Sequence, residues 1–97
     1  MFLDHSKKVI RQKQISSGGQ TAVAVDIRMV FREGLNCSAS SLIISHNHPC
    51  GGPVPSGADK QLTKSIQQAG QTIGIPLIDH IIVSEKTYFS FADEGLL

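Results

Sequence analysis

Two aliphatic runs, Leu42-Ile43-Ile44 and LIDHIIV from Leu77 to Val83, are separated by a loop rich in Pro and Gly and then by one helical repeat. Nothing else in the sequence constrains the fold as much. Ala58, Leu62, Ile66, Ala69 and Ile73 recur at helical spacing from Ser56 onward, and Gly74 and Pro76 stop the pattern. Strand, helix and strand in that order form a βαβ unit, which is parallel and right-handed in nearly all cases. The unbroken aliphatic centre of the first strand, Ser41 to His46, suits a central position buried on both sides. Ligand sites on open α/β sheets gather beyond the carboxyl ends of strands, and here that end carries His46, Asn47 and His48.

The flanking segments extend this unit. After a turn at Asp4 to Lys8, Val9 to Ser16 reads as an edge strand of mixed polarity, broken by Ser17-Gly18-Gly19. Asp26 is the expected N-cap of a helix reaching Asn36, with Ile27, Val30, Phe31 and Leu35 on one face. Tyr88 to Phe91 is expected to turn back at Ser84 to Thr87 and pair with the Leu77 to Val83 strand. A chain of 97 residues holds one core, so the expectation is a single α/β domain with a mixed sheet and two main helices.

Charge and composition exclude several functions. A net charge of +1 gives no global field for nucleic acid, and the basic cluster Lys7, Lys8, Arg11 and Lys13 reads as a solvated face, so direct DNA binding has no support from charge. No run approaches the roughly 18 apolar residues that cross a bilayer, and MFLDHSKK has charges where a secretion signal needs its apolar region. No membrane partner is expected, and the expected location is the cytoplasm. Cys37 and Cys50 make neither a disulfide framework nor a four-cysteine metal site, and read as free thiols.

The stretch SHNHPCGGPVPSGADK, Ser45 to Lys60, carries the chemistry. Residues two apart on an extended chain point to the same side, so His46 and His48 can turn both imidazoles toward one point where the strand ends. The loop from Pro49 to Pro55 returns the chain to Asp59, in the first turn of the next helix, where it offers an oxygen ligand. Two histidines and one carboxylate leave a position for water, as catalytic zinc requires. Each fragment alone also has a plainer reading. The histidines are then loop residues, and Ser56-Gly-Ala-Asp59 is a capping box at the helix N-terminus.

As a compound pattern, His-x-His-Pro-x6-Ser-x-x-Asp resembles the metal-binding signature of the JAMM (JAB/MPN) zinc metalloprotease superfamily, matched here at His46, His48, Pro49, Ser56 and Asp59. The wording HNHPCGGPVPSGAD, with the ending LIDHIIVSEKTYFSFADEGLL, resembles the RadC-type branch, which carries an older label as DNA repair proteins. The resemblance runs from Phe2 to Leu97. It implies a deaminase-like three-layer α/β sandwich, with His46, His48 and Asp59 as zinc ligands. It also implies that Ser56 steadies the tetrahedral intermediate or the zinc-bound water by hydrogen bonding. The implied activity is hydrolysis of an amide or isopeptide bond in a peptide or protein substrate.

The resemblance further implies a glutamate general base on a strand upstream of the segment matching Phe2-Leu3-Asp4. No glutamate precedes Glu33 here, and Glu33, Glu85 and Glu94 read as surface residues. The expectation is therefore a piece or truncated form, without its first strand and upstream region, that keeps a zinc site and hydrolyses little by itself. Cys50 stands where the branch usually has Ser, either as a plain loop residue or as a thiol able to approach the metal. Asp79 and His80, polar in an apolar strand, are expected to support the loop backbone or a metal ligand.

Other classes fit less well. The deaminase signature needs Glu at the position of His48 and Cys at the position of Pro53. A mononuclear iron oxygenase also uses two histidines and a carboxylate, and metal content separates it from a zinc hydrolase. The non-enzymatic rivals are a metal-stabilised scaffold and a DNA-repair accessory domain.

Overall fold

A computed structural model describes residues 1–14, 25–48 and 52–97. Its elements run β1 (Phe2–Leu3), β2 (Val9–Arg11), α1 (Ile27–Asn36), β3 (Ser41–Asn47), α2 (Gly57–Ile73), β4 (Leu77–Val83) and β5 (Tyr88–Ser90). The strands form one five-stranded sheet in the order β2-β1-β3-β4-β5. β3 and β4 are parallel and every other pair is antiparallel. The α/β class, the mixed sheet, the edge position of β2 and the βαβ unit are all as the sequence leads one to expect.

One register detail positions the site. Leu42 lies opposite Leu77, but Ile43 lies opposite Asp79, so β4 carries one extra residue at this step. From there on Ile44 pairs with His80 and His46 with Ile82. Because a slip of one residue exchanges the two faces of a strand, this bulge places His80, and not Asp79, on the side of the sheet shared with His46.

The core joins both helices to the sheet. Phe2, Leu42 and Leu77 from the strands, Val30 and Phe31 from α1, Leu62 and Ile66 from α2, and Ile75 form one buried cluster. Burying an aliphatic or aromatic side chain of this kind contributes about 1.5–3 kcal/mol. Both helices come close to Ile75. A Cβ at Gly70 would lie 2.5 Å from the Ile75 carbonyl oxygen, and one at Gly34 would lie 3.1 Å from Ile75 Cδ1 and 3.2 Å from a Phe2 ring carbon. Gly74 then ends α2 at φ 91°, and its N–H bonds the Gly70 carbonyl.

Three details differ from the sequence reading. The buried stripe of α2 is Asp59, Leu62, Thr63, Ile66 and Gly70, while Ile73 is 43% exposed. The helix is rotated because its first turn must face β3 and its last turn must approach the Ile75 backbone. On α1, Gly34 takes the buried place and Leu35 is 59% exposed. β2 ends at Arg11, short of the expected Ser16. The expected break at Ser17-Gly18-Gly19, the end of the Val9 to Ser16 segment, and Pro49 and Cys50 lie outside the described residues. Among the described residues, no helix is long and apolar enough to cross a membrane.

Candidate metal centre

β3 ends in alternation: His46 and His48 are part-buried, while Ser45 and Asn47 between and before them are exposed. The His48 N–H donates to the Val83 carbonyl at 2.9 Å, which extends the parallel pairing one step past the strand and fixes the second histidine. α2 begins across the loop. Ser56 is its N-cap, with backbone angles in the extended region, and the capping box is complete. The Ser56 hydroxyl accepts from the Asp59 N–H at 3.1 Å, and the Asp59 carboxylate accepts from the Ser56 N–H at 2.8 Å. Local capping therefore orients the carboxylate.

The three side chains named from the sequence converge. His46 Nε2 is 2.9 Å from Asp59 Oδ1, His48 Nε2 is 3.1 Å from Asp59 Oδ2, and the two Nε2 atoms are 3.1 Å apart. They form a group able to hold a metal ion. The chemistry of the donors fits such an ion. His48 Nδ1 lies 3.4 Å from the Gly52 carbonyl oxygen, which can only accept, so the single N–H of a neutral ring sits there and Nε2 is bare. A bare nitrogen beside a carboxylate oxygen is repulsive unless positive charge lies between them. Nitrogen and oxygen donors at about 2.0–2.1 Å from a tetrahedral zinc stand roughly 3.3 Å apart, and these contacts are close to that.

Electrostatics point the same way. Burial holds the His46 ring below the ordinary imidazole range, and the His48 ring beside it adds to that against the pull of Asp59. Burial pushes the Asp59 carboxyl up, but the Ser56 N–H and hydroxyl and the two imidazoles outweigh it, and the group stays below the usual carboxylate range. The pocket thus favours a neutral His46 ring and an ionised Asp59 carboxylate, the forms that bind metal.

Asp79 and His80 divide the supporting role expected of them. Asp79 Oδ1 accepts from the Ala92 N–H at 3.0 Å and Oδ2 accepts from the Ser90 hydroxyl at 2.6 Å, so this carboxylate pins the chain after β5. His80 Nε2 instead lies 2.9 Å from His46 Nδ1, and its Nδ1 is hydrogen-bonded to the Thr63 hydroxyl. His80 is fully buried, stacked on the Phe91 ring with centroids 4.6 Å apart. Burial, with the His46 ring second, lowers its pKa to about 4. Thr63 is the participant that the sequence reading missed. Its only signal was a hydroxyl one turn after Asp59, and it stood outside the expected stripe of Ala58, Leu62, Ile66, Ala69 and Ile73.

Glu33, read as a surface residue, is paired with Arg11 at 3.0 Å, which ties α1 to the sheet edge. Neither Glu33 nor Glu85 nor Glu94 joins the histidine–aspartate group among the described residues. Lys7, Lys8, Arg11 and Lys13 are exposed on the turn, β2 and the segment after it.

A family model for the RadC-like JAB domain matches residues 1–96. A UPF0758 protein of Flavobacterium johnsoniae is 48% identical over 96 residues, which cover 99% of this chain and 42% of that protein. UPF0758 proteins of Thermotoga maritima and Porphyromonas gingivalis are each 41% identical, over 98% and 100% of this chain and 43% of their own lengths. The chain spans less than half the length of these curated relatives.

Proposed function

Since this chain belongs to the RadC-like JAB domain family, we propose that it carries the zinc-binding half of a hydrolase that cleaves an amide or isopeptide bond in a peptide or protein. The observation that carries this reading is the approach of His46 Nε2, His48 Nε2 and the Asp59 carboxylate to within 3.1 Å of one another at the end of β3. In the proposal these three side chains hold zinc. When bound, zinc lowers the pKa of a coordinated water toward 7 and polarises a carbonyl.

The remaining work falls to the chain's own groups. The capping box holds the Asp59 carboxylate ionised and aimed at the histidines. The Ser56 hydroxyl oxygen accepts from the Asp59 N–H, so its own hydrogen is free to donate to negative charge developing on the substrate oxygen. It sits at the N-terminus of α2, where the helix dipole favours the same charge. In the net reaction water adds to the carbonyl carbon, the C–N bond breaks, and the departing amine takes up a proton. A carboxylate base for that transfer is proposed to come from outside the described residues, and its absence costs about 10²–10⁴ in rate. The proposed setting is the reducing cytoplasm, where both cysteines of the chain stay thiols.

Metal content and hydrolysis test the proposal together. The full-length protein purified in air should hold one zinc per chain, lose it on His46→Ala or His48→Ala, and release chelator-sensitive fragments from a peptide library read by mass spectrometry. Iron with ketoacid-dependent oxygen uptake, or no bound metal, would overturn it.

A further inference from the structure

Three hydrogen bonds and one close nitrogen–oxygen contact form a closed ring at the site. It runs from the Asp59 backbone carbonyl to Thr63, from Thr63 to His80, from His80 to His46, and from His46 back to the Asp59 carboxylate. From this ring we infer that Thr63 and His80 are positioning residues: they fix the His46 proton on Nδ1, so that its Nε2 lone pair can only face the metal position. The inference rests on the metal-binding reading above and specifies how one of its ligands is prepared.

The direction of every bond follows from one fixed point. A backbone carbonyl accepts and cannot donate, so the Thr63 hydroxyl, 2.8 Å from the Asp59 carbonyl oxygen, spends its hydrogen there. The same hydroxyl oxygen must then accept from His80 Nδ1–H. His80 is 0% exposed, its ring lies parallel to Phe91, and the ring's own hydrogen-bond partners are Thr63 and His46, while the Asp79 carboxylate takes only the His80 backbone N–H. A ring enclosed in this way, with no charged partner for an imidazolium, is neutral. With its only N–H on Nδ1, its Nε2 is a lone pair, and the atom 2.9 Å away, His46 Nδ1, must donate to it. A neutral His46 then has no hydrogen left for Nε2.

The bare Nε2 of His46 therefore faces Asp59 Oδ1 at 2.9 Å and the bare Nε2 of His48 at 3.1 Å. Three acceptors point at one another with no proton among them. A cation relieves this repulsion, and a water or an N–H from one ring does so only in part. The ring thus gives α2 two holds on the site. Its first turn supplies the carboxylate, and one turn later Thr63 dictates, through His80, which nitrogen of His46 is presented. A threonine whose hydroxyl points into a helix stripe acts here on a histidine it does not touch.

The test reads proton position directly and needs no activity. Protein stripped with chelator and labelled with nitrogen-15 is examined at pH 7.5 by long-range proton–nitrogen spectra of the histidine rings. His46 and His80 should both carry hydrogen on Nδ1 and show a bare Nε2. Thr63→Val and His80→Phe should move His46 toward the Nε2–H form and weaken binding of zinc ions by about 10- to 100-fold. Thr63→Ser, which keeps the hydroxyl, should restore both. A wild-type His46 protonated on Nε2, or a His46 signal unmoved by Thr63→Val in a folded protein, would overturn the inference. If the ring is as described but zinc ions do not bind wild-type protein, the metal reading fails while the tautomer assignment stands.

Discussion

Helices α1 and α2 each have a carboxylate at the N-terminal end that accepts a backbone N–H, Asp26 as the N-cap of α1 and Asp59 at the third position of α2. Asp26 accepts from the Arg28 N–H at 3.0 Å, and its carboxylate also meets the Arg28 side chain at 3.3 Å. That side chain bond holds the Asp26 carboxyl below its ordinary range, and the group remains at the surface. Asp59 reaches back the other way, to the N–H of the Ser56 cap, and it is 1% exposed with its two oxygens against two imidazoles. Both carboxylates take part in capping, so capping alone does not make the site. Burial against the end of β3 does, because ionised acid there needs a positive partner.

Removing each carboxylate breaks the comparison most sharply. Asp59→Ala should abolish stoichiometric zinc binding, measured by titration of chelator-stripped protein, and His46→Ala should do the same. Asp26→Ala should leave that titration unchanged. If both aspartates mattered equally to zinc, or neither did, the contrast between the two helices would be false.

Acid titration gives the next largest effect. The His80 ring takes up its proton near 6.5 in the unfolded chain and only at about 4 in the folded one. Between those values the unfolded state binds more protons, so stability falls as pH drops through 6.5 toward 4 and is fully present above that window. The full loss from this one ring is of the order of 3 kcal/mol, and His46, also held down by burial, acts in the same direction. Urea unfolding of metal-free protein at pH 7.5 and 5 should show it, and His80→Phe should flatten the difference.

The helices also differ in how tightly they pack at their far ends. Gly70→Ala on α2 forces a Cβ against the Ile75 carbonyl oxygen, a backbone atom that cannot move aside, and should cost about 1–3 kcal/mol. Gly34→Ala on α1 meets only side-chain carbons of Ile75 and Phe2 and should cost less, by the same unfolding measurement. The smallest effect is on the α1 cap, where Asp26→Ala should lower the melting temperature by a few degrees at most.

The convergence of the candidate metal-binding side chains was legible because local rules place them. His46 and His48 obey the two-residue period of a strand, and Asp59 sits at the third helical position, where a cap reaches back to Ser56. The βαβ unit was legible for similar reasons, since Leu42 to Ile44, the α2 repeat and Leu77 to Val83 each carry their own period. What escaped depends on partners far along the chain. Thr63 faces inward only because α2 is rotated toward β3, and a threonine in a helix stripe carries no mark of that rotation. The choice of His80 over Asp79 rests on one extra residue in β4, a register step invisible in LIDHIIV. Leu35 and Ile73 fit the helical period but lie where neither the sheet nor the other helix covers them.

Zinc-edge X-ray absorption on the reconstituted protein tests the central claim most directly. Only nitrogen and oxygen neighbours at about 2.0–2.1 Å are expected, with the outer-shell scattering of two imidazoles, while His46→Ala and His48→Ala should leave no stoichiometric zinc to give a spectrum. A sulfur neighbour near 2.3 Å, or a spectrum without imidazole scattering, would contradict it.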